Sequence, residues 1–136
     1  MVKKAYDLNY INQTRNQLGY QDEALALPVQ KGSQALMGFG LIGALFIKYY
    51  HLSIEKNGFL FLKRNPWNLK FVENNYFFIP NEDIQEVVLT KGVGFQKLTL
   101  TALDGKKTNY LIPKKLYGVP WLAESLKEAN NRYASK

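Results

Sequence analysis

The sequence predicts a mainly β domain in which about seven antiparallel strands are closed by one C-terminal helix, with a further helix at the N-terminus. Three observations carry this reading. Aromatic residues make up 14% of the 136 residues, with nine Tyr and eight Phe, and such side chains suit a pleated, packed surface. Short alternating stretches are separated by turn pairs such as Asn57-Gly58 and Asp104-Gly105, which accept positive φ. Amphipathic 3.6-residue patterns appear near the two ends of the chain. The length fits one domain of ordinary size.

Taken in order, residues 5–19 predict an amphipathic helix, with Tyr6, Tyr10, Ile11, Thr14 and Leu18 at three-to-four spacing and Gly19 as a stop. Residues 23–30 alternate weakly and contain Pro28, which predicts an edge strand because proline donates nothing to a ladder. A turn at Lys31-Gly32-Ser33 leads into an apolar run, residues 35–47. Tyr50, Leu52 and Ile54 share one face of the next strand. Lys56-Asn57-Gly58 turns the chain, and residues 59–63 return. Residues 69–72 and 76–79 read as extended with Glu73-Asn74-Asn75 turning between them, Pro80 as a stop and residues 84–91 as the following strand. In the last hairpin, a three-residue loop Leu103–Gly105 sets Leu98 opposite Tyr110 and Leu100 opposite Thr108. A two-residue loop would swap the faces, so apolar pairing favours the longer loop with Gly105 in the left-handed region. The C-terminal helix begins at Pro120 and stripes Leu122, Leu126, Ala129 and Tyr133 on one side, with Glu128 and Arg132 paired four apart on the other.

This order of elements resembles the pleckstrin-homology-like (PH-like) superfold, in particular its bacterial members. The segments that carry the resemblance are Tyr50–Ile54 with Asn57–Leu62, then Tyr76–Pro80 with Asp83-Ile84 and Val87, then Leu98–Lys107 with Tyr110–Pro113. The resemblance covers residues 23–133. It implies two orthogonal sheets forming a barrel-like sandwich with the helix plugging one corner, and it transfers no activity, since the superfold hosts unrelated functions. Residues 1–22 are then an N-terminal helical extension, and residues 23–136 a single PH-like domain with a short apolar helical insert at 35–47 as its departure from the pattern.

Composition removes several chemistries. With no cysteine, thiol catalysis, disulfides and Cys-based metal sites are excluded, and one histidine excludes a multi-His site within the chain. The start of the chain has no apolar stretch like that of a signal peptide. The thirteen-residue apolar run falls short of the ~20 residues a bilayer span needs. A cytoplasmic protein is expected, with peripheral membrane contact as the open alternative. The net charge of +7 suits an acidic partner, either nucleic acid or an anionic membrane surface, but the lysines are spread over the whole chain, which favours a merely solvated surface.

Gly38-Phe39-Gly40-Leu41-Ile42-Gly43 matches G-x-G-x-x-G but lacks the βαβ setting of a dinucleotide site. Its small residues fit helix packing better. Leu36, Phe39, Gly40, Leu41, Ala44 and Leu45 are therefore the candidate interface for a protein partner or self-association. The same run offers Leu36, Phe39, Leu41, Leu45 and Phe46 to a membrane interface. Lys63, Arg64, Trp67, Lys70, Lys106 and Lys107 are the candidate contacts to an anionic surface, with Trp67 either a wet anchor or a cap on the core. His51 alternates with Leu52, which predicts that it faces out of the sheet as a solvated or hydrogen-bonded side chain. Glu82, Asp83 and Glu86 read as turn residues. No cofactor, metal, small-molecule substrate or catalytic group is expected, and nucleic acid is disfavoured because the aromatics alternate inward. The expectation is a non-enzymatic binding or assembly module, with peripheral association with an anionic membrane as the alternative.

Overall fold

The structure, a computed structural model, describes residues 2–31 and 47–134. Two helices, α1 (Val2–Ala5) and α2 (Leu8–Gln17), precede seven strands: β1 (Leu25–Lys31), β2 (Lys48–Ile54), β3 (Gly58–Arg64), β4 (Phe71–Pro80), β5 (Ile84–Thr90), β6 (Phe95–Ala102) and β7 (Lys107–Pro113). A helix, α3 (Leu122–Tyr133), follows. Every strand pairing is antiparallel, in the order β4-β3-β2-β1-β7-β6-β5. Along most of its length the sheet is held by extensive ladders. Between β1 and β7 it is held by one pair, Gln30↔Leu111.

The alternation of the sequence sorts the sheet into two faces. Leu27 and Val29, Leu52 and Ile54, Phe59 and Phe61, Leu98 and Leu100, and Tyr110 and Ile112 point into one core, completed by Leu122, Leu126 and Ala129 of α3. Phe61 sits at its centre, stacked on Phe77 and Tyr110 at 4.7 and 4.8 Å between centroids and edge-on to Tyr50. Burial pushes the Tyr110 hydroxyl up to about 12. The other face of β2–β3 carries Leu60 and Leu62, which are buried together with Ile11 of α2. The N-terminal extension is thus a layer packed on the domain.

The last hairpin has the register that its apolar pairing predicts: Leu98 faces Tyr110, Leu100 faces Thr108, and Gly105 sits at φ +87°. The β2–β3 turn also matches. Gly58 is required there by space as well, because a Cβ would lie 2.3 Å from the Ile79 carbonyl oxygen. Glu73–Asn75 turns as expected but does so inside β4: Arg64 pairs with Phe71 and Leu62 with Tyr76, so the residues between bulge out, with Asn74 at φ +60°.

Four expectations need correction. The N-terminal helix is two pieces, because Asp7 adopts an extended conformation (ψ 127°) and caps α2 by accepting from the Asn9 amide at 2.9 Å. Strand β1 is central in the order, although its sparse contact with β7 leaves most of that flank edge-like, which is where Pro28 is tolerated. The C-terminal helix begins at Leu122, two residues beyond Pro120. His51 is fully buried; alternation put it on the correct face, but the N-terminal layer and Trp121 cover that face. The apolar run 35–47, with the candidate interface residues Leu36, Phe39, Gly40, Leu41, Ala44 and Leu45, lies outside the described residues except for Ile47, which precedes β2.

Candidate functional site at one end of the sheet

The registers define two ends. At the first, Leu25 pairs with Ile54, Ile54 with Phe59, Gly58 with Pro80 and Ile84 with Ala102, so the β2–β3, β4–β5 and β6–β7 turns share it. At the second, Lys31 pairs with Lys48, Tyr49 with Arg64 and Arg64 with Phe71. A cleft of about 370 Å³ marks the second end. Its walls come from the end of β1 (Val29, Gln30), the start of β2 (Tyr49, Tyr50), the β3–β4 connection (Pro66, Leu69), the β5–β6 connection (Gly94) with the first residue of β6 (Phe95), and the β7–α3 connection (Lys115, Leu116). Three loops distant in sequence therefore converge on one opening.

Each of these loops presents an apolar side chain to solvent one residue from the cleft wall. Trp67 is 82% exposed, and Val93 and Tyr117 are wholly exposed. The Trp67 loop is held in shape by Asn65, whose side chain accepts the Trp67 amide at 2.8 Å, and by Leu69 at φ +62°. Charge is segregated as well. No acidic residue lies between Lys56 and Val72, between Val87 and Leu103 or between Gly105 and Ala123. Lys31, Lys48, Lys63, Lys70, Lys91, Lys114 and Lys115 belong to strand ends and loops of this end, all exposed except the half-buried Lys63. The acids Glu82, Asp83 and Asp104 lie on the turns of the opposite end.

The expected anionic-surface residues divide three ways. Lys63, Trp67 and Lys70 come together here, and the exposure of Trp67 removes its role as a cap on the core. Lys106 and Lys107 are exposed but lie at the opposite end, next to the β6–β7 turn. Arg64 is 1% exposed, so it is not a surface contact. Alternation puts it on the face that the N-terminal extension covers. Val93 and Tyr117 were missed; the signal available was an apolar residue next to glycine in a loop, Gly92-Val93-Gly94 and Tyr117-Gly118.

Two buried arginines hold the N-terminal layer, in different ways. Arg15 of α2 places Nε and Nη2 on the two carboxylate oxygens of Glu55, each at 2.7 Å, and donates further to Asn12 and to the Asp22 carbonyl. Ser53 donates its hydroxyl to the same carboxylate. Arg64 donates through Nη1 to the carbonyls of Ala5 and Leu69, at 2.8 and 2.6 Å. Its guanidinium lies between the rings of Tyr6 and Phe71, 4.3 and 4.5 Å from their centroids. Burial lowers it to about 10, against the favourable pull of the Tyr6 and Tyr10 hydroxyls, so it stays a cation at neutral pH. Nε and Nη2 of Arg64 have no hydrogen-bond partner among the described residues, and the same holds for both nitrogens of His51. Burial first, then the nearby Arg64 and Arg15 cations, hold His51 well below its usual range, so its ring is neutral at pH 7.

Among the described residues, no helix is long and apolar enough to cross a membrane. No family model matches the chain, and no curated protein matches it either.

Proposed function

We propose that the protein is a non-enzymatic binding module of the PH-like type, and that it associates peripherally with an anionic membrane surface through the end where the β3–β4, β5–β6 and β7–α3 loops meet. The PH-like reading is supported by the strand order, by the two half-sheets joined at a single residue pair and by α3 packed on the core. The observation that carries the membrane reading is the coincidence, at one end, of three exposed apolar tips with a set of lysines whose loops contain no acid, the exposed Glu73 in the β4 bulge being the nearest carboxylate in sequence. Trp67, Val93 and Tyr117 are side chains of the kind that lodge in a headgroup interface. Each lysine near an anionic leaflet contributes about 1 kcal/mol, screened by salt. The chain leaves the sheet at Lys31 and re-enters it at Lys48, and both residues lie at this end.

Flotation with vesicles tests this. The full chain is expected to float with phosphatidylglycerol vesicles at low salt, to be released at high salt and to ignore phosphatidylcholine. Trp67→Ser combined with Tyr117→Ser is expected to abolish flotation without lowering thermal stability. Equal flotation of the double variant, or no binding to the anionic vesicles, sinks the reading. Protein contact or self-association through residues 35–47 then stands in its place, to be read by sedimentation.

A further inference from the structure

The two buried arginines differ in one respect that chemistry makes specific. The Nε/Nη2 edge of Arg15 holds both oxygens of the Glu55 carboxylate. In Arg64 the same edge has no partner among the described residues, while Nη1 is occupied by two carbonyls. That edge of a guanidinium is a planar fork matched to a carboxylate or phosphate. A buried cation without an anionic partner is costly, and no acidic side chain contacts Arg64 among the described residues. Arg64 also forms part of the wall of the 370 Å³ cleft, together with Tyr6, Tyr50, Leu69, Phe95 and Leu116. This volume is at the lower end of the ~300–1,000 Å³ of small-molecule sites, which combine apolar linings with a few directed polar groups.

We propose that this cleft is a binding site for a small amphipathic carboxylate, its two oxygens on the Nε/Nη2 edge of Arg64 and its apolar body against Tyr50, Phe95 and Leu116. Arg64 is almost wholly covered, so entry requires Tyr6 and Leu69, which line the cleft beside it, to shift. Lys115 on the cleft wall attracts the anion toward the opening. The acid comes either free from solution or from the membrane surface that this end is proposed to meet. Binding from solution does not depend on the membrane reading.

The probe is sodium octanoate, titrated into the full chain at pH 7 and constant ionic strength, followed by amide chemical shifts and by melting temperature. Saturable shifts confined to residues around the cleft, among them Tyr6, Tyr50, Leu69, Phe95 and Leu116, are expected. Octanol, the same chain without the charge, and inorganic phosphate, the charge without the chain, are each expected to bind at least tenfold more weakly. Arg64→Lys keeps the charge but loses the fork and is expected to weaken octanoate at least tenfold. Lys115→Glu, at an exposed position that leaves folding intact, is expected to weaken it several-fold, so the idea stays testable if the Arg64 variant does not fold. A second arm compares phosphatidylcholine vesicles carrying oleate with vesicles carrying the same surface charge as phosphatidylglycerol. Flotation that is stronger with oleate than with phosphatidylglycerol, an excess lost in Lys115→Glu, identifies a membrane-held acid, whereas octanoate binding without that excess identifies a free one. Octanoate shifts that are unsaturable, lie elsewhere or persist unchanged in Lys115→Glu overturn the site, as does phosphate binding as tightly as octanoate.

Discussion

Replacing Arg15 by methionine isolates the contact that fastens the N-terminal layer to the sheet. The Glu55 carboxylate is 4% exposed and accepts from Arg15 Nε, Arg15 Nη2 and the Ser53 hydroxyl. Arg15→Met removes the cation and two charge-assisted hydrogen bonds, and leaves a buried anion with one hydroxyl. Breaking a buried pair from one side costs about 3–5 kcal/mol, because the remaining charge is uncompensated. For a chain of this size that is a fall of about 10–20 °C in melting temperature. The double variant Arg15→Met with Glu55→Leu leaves no buried charge, so it is expected to recover at least half of the loss. The exposed pair between Arg132 and Glu128, at 3.1 Å, is the control: Arg132→Ala should cost less than about 0.5 kcal/mol. The assay is urea unfolding of the four proteins at pH 7. A loss below about 1 kcal/mol in Arg15→Met, or a double variant less stable than Arg15→Met, would refute the reasoning.

Three other outcomes are expected. Phe61→Ala removes a fully buried ring that stacks on Phe77 and Tyr110, at a cost of about 3–5 kcal/mol by urea unfolding. His51 is protonated more readily in the unfolded chain than in the folded one. Stability is therefore full above about pH 6.5 and declines as pH falls toward the depressed folded value, by up to about 1.4 kcal/mol per unit. Comparing wild type with His51→Phe at pH 7.5 and 5.5 checks this, and an equal acid loss in both would remove His51 as the cause. Alanine at Gly58 meets the Ile79 carbonyl, whereas at Gly105 it meets nothing within 4 Å and suffers only the positive φ. Gly105→Ala should cost about 1–2 kcal/mol and Gly58→Ala clearly more, as read from thermal melts.

Local chemistry was legible wherever two neighbouring constraints agreed. In the last hairpin, the left-handed preference of Gly105 and the pairing of Leu98 with Tyr110 require the same loop length, so the register followed. In α3 the stripe of Leu122, Leu126 and Ala129 is buried as its spacing requires, although its first turn starts later than Pro120 suggests. Lys63, Trp67 and Lys70 were legible as a group because nearby sequence puts Trp67 and Lys70 in one loop and Lys63 at the end of the strand that leads into it. Grouping Lys106 and Lys107 with them failed, since which loops share an end is a property of the strand pairing.

By itself, then, the sequence determined strand spacing, turn chemistry and the inward alternation of Leu27, Val29, Leu52, Ile54, Leu98 and Leu100, because each depends on residues within a few positions of one another. The aromatics as a set do not follow that alternation, since Trp67, Tyr76, Phe77 and Tyr117 are exposed. Tertiary structure alone decided what covers the second face of β2–β3. Alternation says that His51, Leu62 and Arg64 point away from the core. Whether away means water depends on a helix more than thirty residues earlier, whose docking rests on Arg15 reaching Glu55 across forty positions. It also decided that the loops carrying Trp67, Val93 and Tyr117 border one cleft, since antiparallel pairing carries loops far apart in sequence to the same end of a sheet.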